Sequence, residues 1–497
     1  MKKPLLTLIA ATAIGTASLL QPAVPQVNAA SLSQVSQTEL AEAGALRPAL
    51  EKLIEAGVIA GYEDGTIKPN RPMTRSEFAK VATSAFGLQP KADGQPLPAD
   101  VSADEWYAPY VRAMLDSGWT LGANGKFQPT TPITQEEIVA NIGRLINKKP
   151  SIVQLWTESY NANKPVTRAE AARWVSDALP HIPSPSAEVT GVKALNAITL
   201  EVTFSAPLTA ADVSLDQAKK NFAFDNGMAL LNVPQLKTGA RATYIVPVTV
   251  QKPGATYTLT YKGKTAGTFE ASDYKLKVAT VAQVTNDTFE LESFRTDGTV
   301  DYGYVVEAYY GSRGGQELVL GDGYDVGGTT YDILSSMRDK SVTITPEGGQ
   351  PIVAKYVPFT QATDGRQAPK FRLPAGESLK PGVTYTVTSD WSTIRDNGFT
   401  AREIAPLAIQ SASAASETAV AVTLTQDPKD ELFAGRSVTL TAADGTTLTA
   451  TYRFTSRKGA TGTFDLANGV KLAPKTTYKL APAGGWATAD NVTVTTN

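Results

Sequence analysis

Internal repetition of two kinds, split by a proline-rich break, constrains this chain more than any other feature of its sequence. In the first kind the apolar spacing is helical. Leu46, Leu50, Leu53 and Ile54 fall on one face, with Pro48 in the opening turn and Gly57 where the helix should end. A turn over residues 61–66 and then Pro69 follow. A second helix is predicted to open at Thr74-Arg75-Ser76-Glu77 and to carry Phe78, Val81, Ala82 and Ala85 on one face. The unit recurs: Trp106, Tyr110, Val111, Met114 and Leu115 are spaced as a helix ending at Gly118. Asn124-Gly125 makes the turn, Pro129 follows, and Thr134-Gln135-Glu136-Glu137 opens the next helix. Pro69 to Pro129 and Thr74 to Thr134 are both 60 residues. A third, shortened copy is predicted, with a first helix over residues 152–160 and a second opening at Thr167-Arg168-Ala169-Glu170, 33 residues after Thr134. Units repeated at a fixed period stack into one shared core.

Pro180, Pro183 and Pro185 cannot continue a helix, so residues 180–186 read as an extended linker. Beyond it the pattern is β. Lys252-Pro253-Gly254-Ala255-Thr256-Tyr257 is echoed by Lys380-Pro381-Gly382-Val383-Thr384-Tyr385 and by Ala473-Pro474-Lys475-Thr476-Thr477-Tyr478. Each echo follows an alternating strand, over residues 198–204, 288–291 and 420–424. Val202 to Tyr257 is 55 residues and Val422 to Tyr478 is 56, but Leu291 to Tyr385 is 94. The middle copy therefore carries about 40 extra residues, placed around 301–340. Short strands with frequent turn residues predict three β-sandwiches of immunoglobulin-like kind. The expected fold class is multidomain, α plus all-β. The expected organisation is a leader over residues 1–29, a helical module over 30–179 (repeats at about 40–88, 97–147 and 151–179), the linker 180–186, and sandwiches over 187–272, 273–404 and 405–497.

Composition narrows function. The 46 basic and 48 acidic residues leave a net charge of −2, without the basic excess of a nucleic-acid binder. There is no cysteine, hence no disulfide framework, thiolate metal site or cysteine nucleophile. His181 is the single histidine; it falls in the linker and is expected to be inert. Lys2 and Lys3, the apolar run from Leu5 to Leu20, and Val27-Asn28-Ala29 read as a secretory signal peptide cleaved after Ala29 or Ala30. No transmembrane segment is expected after processing. No zinc, phosphate-loop or nucleophile-elbow motif is present, so the chain reads as non-enzymatic.

The helical repeats resemble the surface-layer homology (SLH) family. The residues that carry the resemblance are 57–66, Pro69 and Thr74-Arg75-Ser76-Glu77-Phe78-Ala79 in the first copy. In the second they are Asp100-Val101, Trp106-Tyr107-Ala108-Pro109 and Val111, and in the third Thr167-Arg168-Ala169-Glu170. The resemblance implies a three-pronged helical bundle on a Gram-positive surface. Grooves between its repeats would bind secondary cell-wall polysaccharide, often bearing pyruvylated N-acetylmannosamine. It places Arg75, Arg168, Asp100, Trp106, Asp64, Gly65 and Gln135 at polysaccharide-binding positions. Three departures lower the expectation to one or two good grooves: the first copy lacks the opening Asp and Trp, Gln135 stands where Arg is usual, and the third copy has lost most of its turn.

Each of these residues also has a structural reading. Thr74/Glu77, Thr134/Glu137 and Thr167/Glu170 are spaced as capping boxes. Asp64-Gly65 is first a turn, Asp100 an N-cap, and Trp106 equally a core residue at helical spacing with Tyr110. Arg is not needed for capping, and its planar fork suits a carboxylate such as a pyruvate ketal, which free N–H groups at the same helix end would also favour. Asp322, Asp325 and Asp396 sit in turns that could help bind Ca2+; no other cofactor is expected. The readings that remain are a wall-anchored S-layer subunit able to self-associate into a lattice, an adhesin using Tyr304, Tyr309 and Tyr310 of the insertion, and a wall hydrolase.

Overall fold

A computed structural model describes residues 35–121, 124–292, 304–306, 312–313, 316–317, 319–326, 328–358, 369–428 and 432–497. The leader over residues 1–29, Tyr309 and Tyr310 lie outside them, as does the side chain of Tyr304. The chain divides into two compact units at Ile182 and Pro183.

The first unit holds seven α-helices among its described residues: α1 (Gln37–Ala41), α2 (Arg47–Glu55), α3 (Arg75–Phe86), α4 (Ala108–Asp116), α5 (Gln135–Leu145), α6 (Pro150–Gln154) and α7 (Arg168–Ala178). The long helices start where the sequence signals them. Thr74, Thr134 and Thr167 each cap a helix reciprocally with Glu77, Glu137 and Glu170, satisfying two end donors apiece. The helix expected over residues 152–160 is shorter, ending at Gln154. One core takes side chains from all three repeats, including Leu40, Leu50, Phe78, Ile138 and Val175.

The repeats close into a ring. The Met73 N–H donates to Val166 O (2.8 Å), Val166 N–H to Ile133 O (3.0 Å), and Ile133 N–H to Met73 O (2.9 Å). The shortened third copy therefore still completes a pseudo-threefold closure. The expected linker is not extended. Leu179–His181 forms a 3₁₀ turn whose His181 ring stacks 5.1 Å from Trp156. Ser184 N–H is bonded to Pro207 O at 2.9 Å.

The second unit is β. Its first domain packs a four-stranded sheet, containing Val189–Asn196 and Thr199–Phe204, against a three-stranded one containing Thr256–Tyr261. Aromatic and aliphatic residues such as Phe204, Tyr244 and Leu259 fill the space between. In the last domain the hydrogen-bonded order is Ala487–Thr488, Leu407–Ser416, Ala419–Leu424, Thr461–Leu466, Thr447–Tyr452, Ser437–Ala442, Thr477–Pro482 and Thr493–Thr495. The middle domain repeats it with Ser392–Asp396, Leu276–Gln283, Thr288–Glu292, Lys370–Arg372, Ile352–Tyr356, Ser341–Pro346, Thr384–Thr388 and Gly398–Thr400.

The recurrent proline-to-tyrosine spacing has a physical cause. Tyr257, Tyr385 and Tyr478 are buried, and each hydroxyl accepts the backbone N–H five residues upstream, from Lys252, Lys380 and Ala473, at 2.8–2.9 Å. The residue after each proline takes a left-handed turn: Gly254, Gly382 and Lys475, with φ of 74°, 80° and 51°. The hydroxyl thereby pins the turn onto the strand that follows it.

The described part of the insertion is spent on a junction. Leu320, Tyr324 and Ile333 pack on Ile245 of the first sandwich. Asn196 Nδ2 donates to Ile333 O (2.7 Å), Thr199 Oγ1 to Ser335 Oγ (2.9 Å), and Lys340 Nζ to Val248 O (3.3 Å).

Candidate functional site

The residues singled out in the T-x-x-E motifs turn first toward the scaffold. The ring runs from each repeat to the next, and the first amides of each capped helix follow it. Arg75 and Ser76 N–H groups go to Thr131 O and Pro129 O, those of Gln135 and Glu136 to Lys164 O and Ala162 O, and those of Arg168 and Ala169 to Arg71 O and Pro69 O. The free helix-end donors expected to favour an anion are thus already taken.

The side chain at the second motif position makes the same cyclic step. Arg75 of the first repeat donates to Phe127 O (3.0 Å) and Gln128 Oε1 (3.0 Å) of the second and pairs with Glu137. Gln135 of the second repeat accepts from Asn161 N–H of the third at 2.9 Å. Arg168 of the third, only 4% exposed, donates to Ile67 O (2.8 Å) and Ala60 O (2.9 Å) of the first. Gln135 is therefore the neutral counterpart of a joint rather than a gap in it.

Asp100 does not cap its own helix. Its carboxylate accepts the N–H groups of Phe127 (3.0 Å) and Gln128 (2.7 Å). Burial works against that charge, but the two amides outweigh it and hold the carboxyl below the usual range. The first repeat does have an equivalent: Glu39 Oε1 accepts from Ile67 (2.8 Å) and Lys68 (2.6 Å) N–H. Lys68 and Gln128 share the left-handed backbone, φ 51° and 57°. A longer carboxylate from a different sequence position thus serves where the first copy lacks its Asp.

Between the first and second repeats lies a groove of about 920 Å³. Of the predicted site residues it gathers Asp64, Glu77, Trp106 and Arg168; Gly65 sits beside it in the turn at φ 78°. Arg75, Asp100 and Gln135 are not in its lining. Trp106 precedes α4 and is 53% exposed, so it is surface and not core.

Three lining residues were not singled out from sequence: Tyr62, Arg71 and Lys80. Tyr62 is ringed by cations, with Arg168 Cζ, Lys68 Nζ and Arg71 Cζ at 4.6, 4.7 and 4.9 Å from its ring centre. Its hydroxyl donates to Glu77 Oε1 at 3.0 Å, and Arg71 Nη1 donates to the same oxygen at 3.0 Å. Burial, followed by the Arg168 charge, pushes the Lys80 ammonium below the ordinary lysine range. Lys80 has no ion-pair partner among the described residues, and Nζ lies 5.8 Å from the Trp106 ring centre. A signal for two of them existed: at the 60-residue offset Lys80 meets Ala140 and Arg71 meets Thr131. Positions that differ between copies of one scaffold mark what that scaffold presents.

Comparison with known proteins agrees with this architecture. The S-layer homology domain model matches residues 42–79 and 99–139. The chain is 26% identical over 267 residues to the surface-layer 125 kDa protein of Lysinibacillus sphaericus, covering 47% of this chain and 22% of that one. It is 25% identical over 202 residues to an S-layer protein of Bacillus thuringiensis subsp. finitimus, covering 34% and 25%. It is 28% identical over 106 residues to the cellulosome-anchoring protein of Acetivibrio thermocellus, covering 20% and 24%. The chain thus spans about a quarter or less of these relatives. A crystal structure of the S-layer protein SbsC aligns over 93% of this chain and 73% of that one at 13% identity, with a TM-score of 0.15, too low to bear on the arrangement of domains. These matches define a secreted, cell-wall-associated surface protein. Within that class, the chain carries S-layer homology repeats over residues 42–79 and 99–139 and is similar to S-layer proteins.

Proposed function

We propose that the helical module anchors the protein non-catalytically to an acidic secondary cell-wall polysaccharide through the groove between its first and second repeats. The observation that carries this reading is the juxtaposition of an exposed Trp106 beside Lys80 with Arg71 and Arg168 around Tyr62. Trp106 offers an apolar face for the C–H side of a sugar ring. Lys80 and Arg71 offer charge-assisted donors to a carboxylate such as a pyruvate ketal. Arg168, with its Nε and one Nη committed to carbonyls, contributes mainly its field.

The β unit fits an S-layer subunit or accessory surface protein. The strands of the last domain run in one hydrogen-bonded order, A-B-E-D-C-F-G with Ala487–Thr488 beside A, a connectivity in keeping with an immunoglobulin-like domain. Self-association into a lattice belongs to the same reading. The junction role of residues 319–340 favours it over ligand capture by the enlarged domain. Among the described residues no group of three metal-ligating side chains is placed to hold Ca2+. No described helix is long and apolar enough to cross a membrane.

The test is co-sedimentation of the mature protein with purified wall, with its polysaccharide removed, and with pyruvate removed from that polysaccharide. Trp106→Ala should weaken binding about tenfold or more without lowering the melting temperature. Equal binding of parent and variant, or indifference to the polysaccharide, overturns the reading.

A further inference from the structure

Within the β unit, the junction between the middle and last sandwiches leaves a second recess. Two adjoining cavities of about 450 and 480 Å³ share Val353, Lys355, Tyr356 and Pro358. One extends to Arg338 and Phe454, the other to Arg372. Together they form one cleft with an apolar side, where Val353 is 52% and Phe454 41% exposed.

The charges of this cleft do not balance. The side chains of Arg338 and Lys355 have no hydrogen-bond or ion-pair partner among the described residues, and Asp339 is the one acid among the described residues of the lining. The Arg372 guanidinium is deeply set and reaches only neutral oxygens, Thr288 Oγ1 (3.2 Å) and Ala434 O (2.7 Å). The neighbouring carboxylate, Asp287, is taken by Arg436 of the last sandwich through two bonds of 2.6 and 2.8 Å. Two guanidinium groups thus share one carboxylate. Burial and the like charge of Arg436 push Arg372 down to about 9, outweighing the pull of Asp287. A buried cation without its own counter-charge is costly, and an anion entering the cleft offsets that cost.

We propose that this cleft binds an acidic carbohydrate, as a site separate from the groove of the helical module. The cations of the lining suit a carboxylate or phosphate on the sugar. Tyr356, Phe454 and Val353 in the same lining suit its C–H faces. The wall association of the protein supplies such polymers in its surroundings. An acidic peptide would satisfy the charges but has no comparable use for the aromatic wall, so it is the competing outcome.

The experiment uses the full mature chain carrying Lys80→Ala and Trp106→Ala, which silences the helical groove. Calorimetric titration compares oligogalacturonate, a glycerol-phosphate oligomer, neutral maltohexaose and poly-glutamate. Binding of either anionic oligomer at one site, weakening with salt, is expected, and the tighter of the two identifies the acid. Arg338→Ala with Lys355→Ala should cost about tenfold per cation removed, and Lys355→Arg should largely preserve affinity. Both side chains are exposed, so the melting temperature should not move. Loss of all anion binding in the silenced background, unchanged affinity in the double variant, or equal binding of poly-glutamate overturns the proposal. A positive result here is independent of whether the helical groove binds the wall.

Discussion

The first and second repeats share one scaffold and present different chemistry. Both cap their long helix with a Thr and Glu pair, and both hold a left-handed turn residue with a carboxylate from upstream. Both send their second motif residue into the next repeat. Facing the groove, however, the first has Arg71 and Lys80 where the second has Thr131 and Ala140. The shared parts are backbone bonds, caps and apolar volume; the differing parts are a few polar side chains with no duty in the ring. Assembly and recognition are thus assigned to different residues, although they lie within one motif.

The largest effect expected from that division is on stability. Arg168→Ala should destabilise the helical module by about 3 kcal/mol, because it strands the carbonyls of Ile67 and Ala60. Arg75→Ala should cost less, since Arg75 is more open to solvent. Differential scanning calorimetry of the full chain reads both. An Arg168→Ala protein that melts like the parent yet loses wall binding would erase the distinction between scaffold and groove.

Next comes Lys80. Lys80→Ala should weaken wall binding about tenfold, roughly 1.4 kcal/mol, with melting unchanged. Its ammonium is pushed down by burial and Arg168, so on the alkaline side its charge is lost before an ordinary lysine would titrate. Binding should therefore fall with rising pH earlier than the usual lysine range, and Lys80→Arg should abolish that fall. A pH profile identical in the parent and in Lys80→Arg would remove Lys80 from the site.

The caps give a smaller effect, and one that should be equal between repeats. Thr74→Ala and Thr134→Ala should each cost about 1 kcal/mol and leave wall affinity nearly intact. Unequal losses in chemical denaturation would mean that the two scaffolds are less alike than their bonds. Smallest of all, Ala140→Lys should raise wall affinity by no more than a few-fold, because the second repeat still lacks a counterpart of Arg71. A gain matching the loss in Lys80→Ala would show that one cation suffices to make a groove.

Features with local causes are legible in the residues alone. The capping boxes involve residues three apart, the proline turns bond a tyrosine to an amide five residues back, and the switch from helical to alternating spacing lies in the pattern itself. Roles whose partner is remote emerge only when the chain folds. Arg168 reads as a polysaccharide-binding cation until the ring brings it to carbonyls 101 and 108 residues away. Asp100 reads as a helix cap until a turn 27 and 28 residues later offers its amides. His181 reads as part of a solvated linker until Trp156 stacks on it. A side chain's role is set by the field and the hydrogen-bond partners around it, and ring closure assembles those from parts of the chain that local spacing does not connect.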